Sequence, residues 1–97
     1  MLSKAEAERR VNEYLEGLHV RGGVAILSHA TLDRPYGWVF FYNAKRYLET
    51  GDPLEALGGN SPIVVEADSG ELILLGTAEP VEDALQRFEE ARGSGGA

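Results

Sequence analysis

A chain of 97 residues makes one domain, large enough to bury roughly 60–70% of the surface its unfolded form exposes. It contains no cysteine, which excludes both a disulfide framework and a thiolate metal site. Its 16 acidic against 9 basic residues leave a formal net charge of −7, which argues against nucleic acid as a ligand and leaves either a solvated acidic surface or attraction to a basic partner.

The N-terminus is charged from the start and has no signal-peptide apolar region, and no apolar run reaches the ~20 residues of a membrane span. The expectation is a soluble, cytoplasmic protein without membrane contact. Ser3 to Glu6 fits a capping box. Ala7, Val11, Tyr14, Leu15 and Leu18 follow at helical spacing, with charged residues mainly off that stripe. The pattern predicts an amphipathic helix ending near Gly17.

Gly22-Gly23 breaks the chain. Val24 to Asp33 reads as a first strand, apolar in its first half, with His29, Thr31 and Asp33 on a polar face of its second half. Arg34-Pro35 turns it into Tyr36-Gly37-Trp38-Val39-Phe40-Phe41-Tyr42-Asn43, which holds five of the eight aromatic residues. Strand alternation puts Tyr36, Trp38, Phe40 and Tyr42 on one face and Val39 and Phe41 on the other. Large apolar groups on both faces predict a central strand covered on both sides.

Asn43 suits an N-cap for Ala44 to Glu49, Gly51 a left-handed stop, and Asp52-Pro53 the start of a further short turn. The link between the second and third strands is therefore long but structured. Pro62 to Ala67 is a third strand, Asp68-Ser69-Gly70 a hairpin turn, and Glu71 to Leu75 a fourth strand. Pro80 sits in the first turn of a second amphipathic helix carrying Val81, Ala84, Leu85 and Phe88, running to about Arg92.

The expected fold is α+β: a four-stranded antiparallel sheet packed against N- and C-terminal helices, in the order α-β-β-β-β-α, with a short helical segment between strands 2 and 3. Residues 1–92 form the domain and the Gly/Ser-rich residues 93–97 a flexible tail. Both helices are expected on one face of the sheet, which leaves the second face to the 44–59 segment or to a second subunit in a homodimer.

Catalytic signals are weak. His19 and His29 are the only histidines, without metal-binding spacing. His29 and Asp33 on one strand face would stand roughly 13 Å apart, too far for proton exchange. No serine has a nucleophile-elbow context. Gly58-Gly59-Asn60-Ser61 lacks the Lys and helix of a phosphate loop and reads as turn chemistry. Glu66, Asp68 and Glu71 cluster at the hairpin without calcium-loop spacing. The chain is expected to be no enzyme and to need no cofactor.

Four motifs in order carry a family resemblance: Tyr36 to Asn43 with Arg46-Tyr47-Leu48-Glu49-Thr50-Gly51-Asp52; Gly59-Asn60-Ser61-Pro62-Ile63-Val64-Val65; Asp68 to Gly70; and Leu75-Gly76-Thr77-Ala78 with Pro80-Val81-Glu82. On these the chain resembles the bacterial immunity protein 35 family, with its YrhB-like small proteins. The first helix and strand resemble the family in general pattern. The resemblance implies a small α+β protein encoded beside secreted toxins that binds and neutralises a cognate toxin, while some relatives are instead chaperone-like. It brings no catalytic residues. On this reading Glu49, Asp52, Glu66, Asp68 and Glu71 would pair with a basic toxin surface around aromatic anchors at Trp38, Tyr42 and Tyr47.

Overall fold

The structure, a computed structural model, describes residues 1–96, with side chains as far as Arg92. Helix α1 (Lys4–Glu16) is capped by Ser3, whose hydroxyl accepts from the Glu6 amide at 3.2 Å. The chain then forms β1 (Val24–Ile26), a 3-10 turn (Ser28–Ala30), β2 (Leu32–Arg34), β3 (Gly37–Phe40) and β4 (Tyr42–Ala44). Helix α2 (Lys45–Thr50) and a second 3-10 turn (Pro53–Glu55) lead to β5 (Ile63–Glu66), β6 (Leu72–Leu74) and α3 (Val81–Gly96). The tail expected at 93–97 lies outside the residues whose side chains are described. Among the described residues no helix is long and apolar enough to cross a membrane.

The α+β class, with helices at both ends of an antiparallel sheet, holds. The four expected strands are more broken than their hydrophobic runs suggest. A four-stranded sheet has the order β2-β3-β5-β6, and β1 pairs with β4 as a separate ribbon. The first two expected strands are one hairpin bent across these two sheets. Its register shifts by three residues between β1–β4 and β2–β3. The three residues Ser28–Ala30, wound into the 3-10 turn, take up that excess. His29 therefore sits on this turn and not on a strand face.

The two terminal helices cover opposite faces of the sheet, not one. Ala7, Val11 and Leu15 of α1 pack with Phe40, Tyr42, Ile63 and Val65, with Trp38 at the margin. Leu85 of α3 packs on Val39 and Val64, with Leu32, Phe41, Ile73 and Phe88 around them. The reason lies in β3 and β5. Both alternate apolar groups to both sides, so two helices on one face would leave Val39 and Val64 in water. The face that called for the 44–59 segment or a second subunit is occupied by α3.

Trp38, Phe40 and Tyr42 against Val39 and Phe41 divide as alternation requires. Tyr36 does not follow: it joins the α3 face. It belongs to the two-residue turn Pro35-Tyr36 between the paired residues Arg34 and Gly37, where strand alternation no longer applies. Gly37 has φ 154°, and a Cβ there would lie 1.9 Å from the Val65 carbonyl oxygen. Only glycine lets β3 approach β5 this closely at its first residue.

Candidate protein-binding surface

The 44–59 connection is built onto the Phe40 end of the central strand, through β4. Asn43 does not cap α2; the N-cap is Ala44, without a side-chain bond. The Asn43 Oδ1 instead accepts from the Ala44 and Leu57 amides, both at 2.8 Å, and so ties the two ends of the connection together. Gly51 stops α2 in the left-handed conformation at φ 71°, and Asp52 caps the next turn by accepting from the Leu54 amide at 3.0 Å. The Asn60 side chain donates to the Tyr42 carbonyl at 3.0 Å, and the buried Ser61 hydroxyl accepts from the Gly76 amide at 2.7 Å. These bonds hold a platform that presents half-buried Tyr47, exposed Glu49 and Asp52, and two exposed leucines, Leu48 and Leu54 (92% exposed).

The other acidic residues lie at the opposite end of the sheet. Glu66 pairs with Gly37, at the far end of β3 from Phe40, and opens the β5–β6 hairpin. Asp68 and Glu71 stand exposed on that hairpin, while Glu66 is half-buried and ion-paired with Arg92 of α3. The structure thus groups Tyr47, Glu49 and Asp52 at one end and Glu66, Asp68 and Glu71 at the other. Between them, Trp38 is half-buried against the α1 core. Tyr42 is only 4% exposed within that core, where burial and then Tyr14 raise its hydroxyl above the ordinary phenol value.

A third region, which periodicity did not point to, runs along the seam between α3 and β2. The Arg34 Nε donates to Glu89 at 2.9 Å, and the Tyr36 hydroxyl donates to the same carboxylate oxygen at 2.7 Å. Burial, then Glu89 as hydrogen-bond acceptor and neighbouring charge, push the Tyr36 hydroxyl far above its ordinary value. The Arg92 guanidinium lies 4.6 Å from the Tyr36 ring centroid, and Phe88 meets the same ring edge-on at 5.5 Å. Beside this clamp a groove of about 350 Å³ opens over Leu32, Phe41, Val81 and Leu85. A neighbouring hollow of about 400 Å³ shares Arg34 and Glu89 with it. The local signal for Glu89 was its place four residues after Leu85, on the flank of the apolar stripe. Nothing local marks Arg34 as its partner, 55 residues away.

The arrangement sets acidic residues at both ends of the sheet beside exposed leucines and an open groove. The family model of immunity protein 35 matches residues 5–91 of the chain. The chain belongs to the immunity protein 35 family. It is also 38% identical over 89 residues to the uncharacterised protein YrhB of Escherichia coli (strain K12), a match covering 92% of this chain and 90% of that protein. No solved structure gives a significant match. The immunity protein 35 match includes all the quoted motifs, and several of those residues have structural duties here: Gly37, Asn43, Gly51, Asn60 and Ser61 shape turns or tie them to strands.

Proposed function

We propose that this protein binds a cognate toxin in the cytoplasm and neutralises it by covering its working surface, without catalysis of its own. The observation that carries this reading is membership of the immunity protein 35 family across residues 5–91. The net charge of −7 supports a basic toxin surface, which the acidic field would attract and orient before contact. The platform formed by the 44–59 connection suits that contact: Leu48, Leu54 and Tyr47 offer apolar area beside Glu49 and Asp52. Asp68 and Glu71 extend the acidic field at the other end, Glu66 supports their hairpin, and half-buried Trp38 stays a candidate anchor between them, whereas Tyr42, 4% exposed, belongs to the core and not to the contact.

The test is co-expression with each toxin-like domain that the neighbouring genes encode. Restored growth, with a stable one-to-one complex, is the expected outcome. Charge reversal at Glu49 and Asp52 should slow association about tenfold at low salt with a smaller change in dissociation. No rescue by the intact chain against any neighbouring toxin domain would sink the proposal. The 92% exposure of Leu54 favours one second reading, a chaperone-like or homodimeric binding module without a dedicated toxin. That reading requires suppression of client aggregation at several-fold molar excess and no dependence on a toxin.

A further inference from the structure

We infer that the groove between α3 and β2 receives an extended segment of the partner protein, one that carries a large apolar side chain flanked by Lys or Arg. The inference rests on the reading that the partner is a protein. The groove floor is Leu32, Phe41, Val81 and Leu85, and all but Leu85 are half-exposed. At about 350 Å³ it has room for an anchoring side chain. It does not end as a closed pocket. Past the Arg34–Glu89 pair it meets the second hollow, bounded by Pro35, Tyr36 and Arg92. A trough in two parts suits a length of chain better than a compact ligand. It also lies beside β2, an edge of the four-stranded sheet, where partner segments commonly align with a strand.

Charge selects the flanking residues. Arg34, the cation on the groove's rim, is already engaged by Glu89. Glu82, on the same rim, has no ion-pair partner among the described residues, and Asp83 and Glu90 add to the acidity of α3. An apolar anchor would therefore enter past an unneutralised carboxylate, which favours Lys or Arg next to it. The same charge disfavours a second copy of this chain. A two-fold interface sets each patch against itself, and here that would bring one acidic α3 against another.

Panning the intact chain against a displayed library of random linear peptides tests this without any toxin. Enriched sequences should share a Leu, Ile, Phe or Trp within two residues of a Lys or Arg. Val81→Asp and Glu82→Lys should each weaken those peptides about tenfold or more, while Leu54→Ser, at the far connection, should leave them unchanged. Glu82 is an exposed helix position, so that variant keeps the fold, which circular dichroism checks. The inference is overturned if no motif is enriched, if the enriched peptides are acidic, or if both variants bind them normally. It is equally overturned if sedimentation shows a dimer that Val81→Asp dissolves, since the groove is then a self-interface. Toxin rescue untouched by Val81→Asp and Glu82→Lys would remove the groove and keep the immunity reading. Selected basic peptides with no toxin rescue would do the reverse.

Discussion

The two faces of the sheet are closed by different physics. Under α1 the seal is apolar and tight at its centre: Ala7, Val11, Phe40, Ile63 and Val65 have no exposed surface, and Tyr14, Trp38 and Leu57 stay half-open at its margin. Under α3 only Val39 and Val64 reach that state, and Leu32, Phe41 and Val81 stay half-open. There the helix is pinned by directed contacts at its far end, Arg34 and Tyr36 on Glu89, and Arg92 on Glu66 and Tyr36. A close-packed layer stabilises but leaves a partner little to enter over its centre; its hollow, of about 240 Å³, lies at the margin beside Tyr14, Tyr42 and Leu57. A clamped layer holds a helix in place while leaving apolar surface beside it, so stability and binding can occupy different faces of one small sheet.

The largest effect should come from the sealed face. Phe40→Ala removes a fully buried ring and should cost about 3–5 kcal/mol, read from denaturant midpoints. Gly37→Ala strikes the strand shared by both faces. Its Cβ would meet the Val65 carbonyl, and a loss of about 3 kcal/mol is expected from strain and displaced backbone. Leu85→Ala on the clamped face should cost less than Phe40→Ala, about 2 kcal/mol, because the groove beside it is already open to water. If Leu85→Ala proves as costly as Phe40→Ala, the contrast between the faces fails.

Smaller changes sharpen the clamp. Glu89→Gln keeps the shape and an acceptor for Tyr36 but removes the charge facing Arg34. The expected loss is about 1 kcal/mol at low salt, shrinking at high salt. Glu13→Gln, which breaks the exposed Arg9–Glu13 pair on α1, should cost about 0.3–0.5 kcal/mol. Equal losses would mean that the clamp adds nothing to an ordinary surface pair. Alkaline pH separates the faces by one hydroxyl each. Tyr36 and Tyr42 both hold their protons more tightly folded than unfolded. Their contribution is fully present below the unfolded value of about 10 and is lost as pH rises beyond it. Stability should therefore fall above that pH, and Tyr36→Phe should flatten the fall more than Tyr42→Phe.

Much of this was legible in the residues. The stripe Ala7-Val11-Leu15 is the contact face of α1, Leu85 and Phe88 of the second stripe pack α3 on the sheet while Val81 lines the open groove, and the alternation from Trp38 to Tyr42 sorts each side chain correctly. Alternation misplaces Tyr36 because that residue lies in a turn, one position outside the strand. The first strand's break was hidden because Ser28-His29-Ala30 keeps the same apolar–polar rhythm while winding up a three-residue excess of register. Among the candidate binding residues, side-chain type was visible and grouping was not. Glu49 and Glu66 look alike in sequence, yet one is exposed on the connection and the other is paired to α3.

By itself the sequence determined what depends on neighbours a few residues apart: helix stripes, capping by Ser3 and Asp52, the glycine stop at Gly51, and strands with two apolar faces. Those follow from backbone geometry and side-chain period, which act locally. The tertiary structure decided which face each helix covers, where the long hairpin bends, and that Arg34 meets Glu89 and Glu66 meets Arg92. Those depend on burying both sides of β3 and β5 at once, a requirement that no local stretch of the chain expresses.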